Sequence, residues 1–265
     1  MPSFPEELKR HRRERRMSQL DLSLEADVSG RHIAFLETGR SRPSRSMVLR
    51  LAEALQTPLS ERNDLLLAAG FAPEYALRAL SDETLAPVRE AMSRLLRSQE
   101  PYPALVMDRA WRILEANRAA SLLFQPVMTR ADKSFLAYVN DTPSYLDTIE
   151  NWRAIGPTML SRLKLERRRN TPDPAFDHEV ARFEALVRET CDAEAPPPSE
   201  TEALFISPIM RVGEARLSFF STIAHFGAPR DVALSELQIE LFFPLDDETD
   251  AFFQSLSGDA GAPPA

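Results

Sequence analysis

Between Ser18 and Arg40 the apolar positions recur at helical spacing in two short runs. Leu22 and Ala26 stand four apart, and Ile33 and Leu36 stand three apart, with a break at Asp27-Val28-Ser29. That spacing predicts two amphipathic helices joined by a tight turn. Ser18, with Asp21 three residues on, is an N-cap with a capping-box acid, and Ser29 is the N-cap of the second helix. Helices this short cannot bury their own apolar faces, so they need neighbours. The chain supplies them on both sides: residues 7–16 after Pro5, residues 47–55 with Val48, Leu51, Ala52 and Leu55 in phase, and residues 61–69 closed by Gly70. Five short helices around Leu8, Leu22, Ile33, Leu36, Leu51 and Leu55 make an all-α bundle over residues 6–72.

The pattern then changes. Residues 77–98 carry Leu80, Leu85, Val88, Met92 and Leu95-Leu96, a helix or helix pair that fills a connecting segment at 73–100. Pro101 and Pro103 mark the next boundary. Residues 104–107 and 111–114 are short apolar runs around the turn Asp108-Arg109, a hairpin signal. Helices are expected over 117–124, over 144–165 with an interruption at Gly156-Pro157, and over 175–189. The run AEAPPPSE at 193–200 reads as a loop, because its prolines fit neither a helix interior nor a central strand. Strands are expected at 204–206, 216–223 and 237–243. The order of strand, strand, helices and three strands describes an α+β domain over 101–256: an antiparallel sheet with helices over one face, the form of a PAS-like sensor domain.

At 265 residues two domains are expected. The net charge is −8, but it is unevenly placed: residues 1–50 hold 11 Lys/Arg and 7 Asp/Glu, a balance of +4, and the remainder is at −12. The basic surface therefore coincides with the paired short helices, which is where phosphate neutralisation would need it. With one cysteine, Cys191, no intramolecular disulfide forms, which fits a reducing cytoplasm. No apolar run reaches the ~18–20 residues of a membrane span, and the N-terminus lacks the apolar region of a signal peptide. A cytoplasmic location is expected.

The two helices form a helix-turn-helix whose second member presents its N-terminal residues to a DNA major groove. The run MSQLDLSLEADVSGRHIAFLETGRSRPSRSMVLRLAEAL resembles the phage-repressor type, the xenobiotic-response-element (XRE) family, through Ser18-Gln19, Leu22, Ala26, Val28-Ser29, Ile33, Glu37 and Gly39, and through Leu51-Ala52 with Ala54-Leu55. Asp27 stands where the family often has glycine, and Asp tolerates a left-handed backbone better than most residues. Ser23 takes a position that is usually alanine. The resemblance implies a lambda-repressor-like fold in which Gly30, Arg31, Ala34 and Phe35 face base edges. Among them Arg31 has the strong readout chemistry, a bidentate pair with guanine. Gly30 permits close approach, while Ala34 or Phe35 meets a thymine methyl, Phe35 otherwise packing in the core. Backbone contacts are expected from Arg12, Arg13, Arg16, Gln19, Ser29, His32, Arg40, Arg42 and Arg45. A two-fold dimer on a palindromic double-stranded operator follows, since one such module reads few base pairs.

The region from PYPALVMDRAWRILEANRAASLLF onward resembles the ligand-binding domain of MmyB-like regulators. The match is carried by ENWRAIGPTMLSRLKLE, by Trp111 with Asn117, and above all by LSFFSTIAHFGAPRDVALSELQIELFFPLDDET. It implies a pocket for a small apolar ligand, with a fatty acid as the leading type. On that basis Phe205, Phe219, Phe220, Phe226, Phe242 and Phe243 would supply the lining, with Asn117 close by. Trp111, Arg153 or Arg216 would hold a carboxylate head. An ordinary sheet–helix core uses the same phenylalanines, so composition alone leaves both readings open.

No catalytic constellation or required cofactor emerges. The four histidines, His11, His32, His178 and His225, lack metal-ligand spacing. Asp173, Asp177, His178 and Glu179 cluster at a proline-entered helix start, where capping explains them. No nucleophile elbow or glycine-rich phosphate loop is present. The expectation is a transcriptional regulator, not an enzyme. Two alternatives stay open: a second domain that only dimerises or binds a protein, and a DNA reader fused to an enzyme.

Overall fold

The computed structural model describes residues 2–169, 173–191 and 207–258, which fall into two units. The first comprises 1–79 with 228–235, and the second 80–227 with 236–265.

Five helices build most of the first unit: α1 (Phe4–Glu14), α2 (Gln19–Glu25), α3 (Gly30–Glu37), α4 (Arg45–Ala54) and α5 (Leu59–Ala68). Their ends are set chemically. Ser18 and Asp21 form a reciprocal capping box, Asp21 N donating to Ser18 Oγ at 3.0 Å and Ser18 N to Asp21 Oδ2 at 2.7 Å. Asp27 adopts φ 49°, the left-handed turn geometry expected of it. Gly39, at φ 72°, ends α3 in a Schellman motif: Arg40 N bonds Phe35 O and Gly39 N bonds Leu36 O. Leu8, Leu22, Ile33, Leu36, Leu51 and Leu55 are fully buried together with Phe4, Leu65 and Leu66.

In the second unit α6 (Ala86–Ser98) precedes β1 (Ala104–Met107) and β2 (Ile113–Ala116). Helices α7 (Arg118–Leu123), α8 (Gln125–Met128), α9 (Phe135–Asp141), α10 (Trp152–Arg169) and α11 (Pro174–Thr190) follow, then β3 (Ile209–Val212) and β4 (Ala215–Ala224). After α12 (Val232–Ser235) come β5 (Gln238–Pro244) and α13 (Asp247–Gly258). The sheet is antiparallel in the order β2-β1-β5-β4-β3. The long β4–β5 pairing sets Phe220 opposite Phe243 and Ser221 opposite Phe242.

Several details depart from the expected elements. Residues 80–100 fold with the second unit. The short helix α12, inside the expected second domain by position, folds with the first: Val232 N bonds Ala76 O at 2.8 Å, and Arg78 pairs with Asp231 at 3.1 Å. Helix α10 runs unbroken through Gly156-Pro157. A proline removes one hydrogen bond, here to the Arg153 carbonyl, and Arg153 is exposed so that solvent can take its place. The expected strand at 204–206 and the loop at 193–200 lie outside the described residues, and β3 begins at Ile209.

Candidate nucleic-acid interface and ligand cavity

Helix α3 starts at Ser29, whose side chain accepts from His32 N at 3.3 Å. This capping leaves the first turn of α3, with Gly30 and the exposed Arg31, at the front of the motif. The Arg31 guanidinium lies 5.2 Å from the Phe35 ring centroid, one turn along the helix. Phe35 is thus partly buried and serves as a platform under Arg31, while Leu36 and Ile33 take the core positions. Ala34 is half-buried between them. A Cβ added at Gly30 would meet only Ser23 Oγ at 3.8 Å, an ordinary contact, so packing inside the unit does not require glycine there.

The basic residues separate into two groups. Arg13, Arg16, Arg40 and Arg42 are exposed, and no ion pair holds them among the described residues. Arg12, expected at a phosphate, is instead an internal strut. Its Nε donates to Glu37 Oε1 at 2.6 Å, its Nη2 to Glu37 Oε2 at 2.9 Å and its Nη1 to Met17 O at 2.7 Å. Gln19 Nε2 donates to the same carboxylate at 2.8 Å, so Gln19 is also turned inward. Burial alone would raise the Glu37 carboxyl, but the bonds from Arg12 and Gln19 outweigh it and hold the group below its ordinary value. Arg45 departs from expectation too: it donates to Ala72 O at 2.7 Å and pairs with Glu74. Helical phase explains the split in α1, where Arg12 sits four residues from the buried Leu8 while Arg13 faces away.

His11 on α1 is fully buried against α5. Its Nε2 lies 2.9 Å from Arg10 Nη2, an obligate donor, so the proton belongs on Nδ1, which is 3.2 Å from Glu61 Oε2. Burial, with Arg10 next, lowers the imidazole to about 4 and keeps it neutral at pH 7, while burial raises the Glu61 carboxyl.

A cavity of about 240 Å³ lies against one face of the sheet in the second unit. Leu105 and Met107 of β1, Phe219, Ser221 and Ile223 of β4, and Glu240 and Phe242 of β5 reach it from alternate positions. Trp152, Ile155, Met159 and Arg162 reach it from a single stripe of α10, and Phe135 and Val139 from α9. Trp111 enters from the β1–β2 turn. Asp108 Oδ1 accepts from Ala110 N and Arg112 N at 2.9 and 3.0 Å, and this turn carries Trp111 at φ 58°. A bulky residue there costs on the order of 1–3 kcal/mol. The strained turn aims the indole at Glu166, which accepts from Trp111 Nε1 at 2.6 Å.

Of the expected lining, Phe219, Phe242 and Trp111 are brought together at the cavity. Phe220 and Phe243 are not: they stack on each other at 5.2 Å on the opposite face, because neighbours along a strand point to opposite sides. Phe226 follows the end of β4 and is not a wall, and Phe205 lies outside the described residues. Neither proposed head-group arginine faces the cavity. Arg153 is exposed on the outer side of α10, and Arg216 pairs with Glu150 at 2.8 Å. Asn117 is structural: 6% exposed, it accepts from Ala120 N and Ala104 N and donates to Tyr102 O and Leu96 O. That joins the ends of α6, β1 and α7.

The cavity arginine is Arg162, whose guanidinium sits 4.7 Å over the Trp111 ring and donates to Glu166 Oε1 at 2.9 Å. The sequence carried a signal for it, since Trp152, Ile155, Met159 and Arg162 are spaced 3, 4 and 3 apart. Tyr145 also lines the wall, and burial holds its phenol well above its ordinary range. In the acidic cluster at 173–179, Asp173 caps α11 and Glu179 accepts from Asn140 and Arg182.

A capped helix-turn-helix with free arginines around α3, joined in one chain to a sheet-and-helix unit with an apolar cavity, defines a DNA-binding transcription regulator with a ligand-binding domain. Comparison with known families agrees at both ends. Residues 8–62 match the helix-turn-helix family, and residues 88–256 match the family described as the MmyB-like transcription regulator ligand binding domain. The second match covers more than half of the chain, and the chain belongs to that family. No curated protein matches the chain. Among the described residues, no helix is long and apolar enough to cross a membrane.

Proposed function

We propose that the protein is a cytoplasmic homodimer that reads a palindromic operator with α3 of each copy. In this reading its hold on DNA changes when a small apolar molecule fills the cavity of the second unit. Arg31 reads guanine, with Phe35 fixing its plane, and Arg13, Arg16, Arg40 and Arg42 neutralise phosphates. Two copies are needed because one module of this size reads too few base pairs for adequate specificity.

The observation that carries the sensing role is the cavity itself. It is walled by Trp111, Phe124, Phe135, Trp152, Phe219 and Phe242 in a unit whose sheet and helices otherwise share one cluster of buried apolar side chains. A well-packed interior leaves few voids larger than a water molecule, so a space of this size favours an occupant over a plain core. A ligand acts by binding one arrangement of the paired DNA-binding units better than another.

Native mass spectrometry of the purified protein, then organic extraction, tests this, with fatty acids among the candidate occupants. A stoichiometric small molecule whose removal and return changes operator affinity is the expected result. A ligand-free protein whose DNA affinity is indifferent to every extract would remove the sensing role and leave DNA binding in place.

A further inference from the structure

The polar groups of the cavity gather where α10 meets β4 and β5: Arg162 and Glu240 line it, and Arg162 is shared with a further carboxylate, Glu166, outside the lining. Among the described lining residues the one cation is Arg162. It is already engaged: Nε bonds Glu166 at 2.9 Å, Nη2 lies 3.4 Å from Gln238 Oε1, and Nη1 lies 3.6 Å from Glu240 Oε1. Glu166 is held further by the Trp111 indole at 2.6 Å. One guanidinium therefore faces two carboxylates, which leaves one negative charge in excess.

That excess sits on Glu240. The residue is 8% exposed and lines the cavity. Ser221 Oγ donates to its Oε1 at 2.5 Å, and the distant Arg162 contact falls on the same oxygen. Among the described residues no group bonds Oε2. A half-compensated carboxylate at an apolar wall is a poor neighbour for a second anion and a good one for a cation. The Trp111 face is already covered by Arg162, which leaves Phe242 as an aromatic wall able to attract a further cation.

Size narrows the occupant further. A volume of about 240 Å³ lies below the ~300–1,000 Å³ of common ligand pockets.

We infer that the cavity takes a small aromatic or branched aliphatic amine, its ammonium docked on Glu240 beside Ser221, in preference to a carboxylic acid. This rests on the reading of the cavity as a ligand site. Full-length protein is titrated with 2-phenylethylamine, 2-phenylethanol and phenylacetate, which share a ring and differ in the charge of the head. Binding is followed by calorimetry and by the fluorescence of Trp111 and Trp152, both of which line the cavity.

The amine is expected to bind at least tenfold more tightly than phenylacetate. Glu240→Gln should bring the amine down to the level of the alcohol and leave the alcohol unchanged. If that variant does not fold, the ranking of the three probes on the unaltered protein decides alone. Phenylacetate binding as tightly as the amine, or amine affinity indifferent to E240Q, overturns the assignment of an amine. If the alcohol still binds in that case, the cavity remains a ligand site. Failure of all three probes to bind overturns the assignment of an amine, and the extraction experiment then decides separately whether the cavity is a ligand site.

Discussion

Replacing Arg12 separates a structural arginine from a DNA contact within the same basic helix. Its side chain is 11% exposed and that of Glu37 only 3%, and the two share a bidentate pair at 2.6 and 2.9 Å. Arg12→Ala leaves a buried carboxylate with Gln19 as its remaining donor and deprives Met17 O of its partner. Breaking a buried pair from one side costs about 3–5 kcal/mol, a large share of the ~5–15 kcal/mol that holds a domain folded.

With a urea m-value of about 1–1.5 kcal/mol/M for a unit this small, the midpoint falls by 2 M or more. Circular dichroism at 222 nm reports both units, whereas tryptophan fluorescence reports the second, where Trp111 and Trp152 reside. R12A should therefore shift the dichroism transition and leave the fluorescence transition in place. The double variant R12M/E37L should recover much of the loss, since it removes the stranded charge. A loss below about 1 kcal/mol, with a salt dependence of DNA binding shallower by roughly 0.9, would refute the strut and return Arg12 to the phosphates.

Other outcomes follow from the same geometry. Arg31→Ala should lose about 1–3 kcal/mol on the operator and little on scrambled DNA, whereas Arg42→Ala should weaken both alike; competition titrations on the two DNAs compare them. His11 has a folded pKa of about 4 against about 6.5 unfolded, so the unfolded chain binds more protons between those values and stability falls as pH drops through that window. The raised Glu61 works in the opposite direction at the acid end, so the slope, about 1.4 kcal/mol per pH unit at most, is cleanest between pH 6.5 and 5. Urea midpoints at pH 7 and 5.5 should differ for the native protein and converge for His11→Gln. Asn117→Ala should destabilise the second unit by at least ~2 kcal/mol in the fluorescence transition, because four backbone groups lose their partner. A loss confined to ~0.5 kcal/mol would mean that solvent replaces those bonds.

Local chemistry made much of the first unit legible in the amino-acid order. Ser18, Asp21, Ser29, Asp27 and Gly39 act on backbone within a few residues of themselves, so their capping and turn roles are written where they stand. The buried leucines follow from helical phase alone. Strand phase could also have separated Phe219 from Phe220 and Phe242 from Phe243, since strand neighbours cannot both face one cavity, yet all four were expected in its lining.

Long-range partners were decided only when the chain closed. Arg12 and Arg13 are the same residue type side by side, and what separates them is Glu37, 25 positions on. Likewise Arg162 rather than Arg153 or Arg216 reaches the cavity, because α10 runs through Pro157 and brings its inner stripe over Trp111 and Glu240. A side chain's charge is fixed by its chemistry, but whether that charge meets water, DNA or a buried partner depends on contacts between elements. Sequence therefore determined the helix-turn-helix, the sheet and the basic N-terminal surface. Tertiary structure determined which arginines remain free, and that Arg162 and Glu240 share the cavity's polar corner.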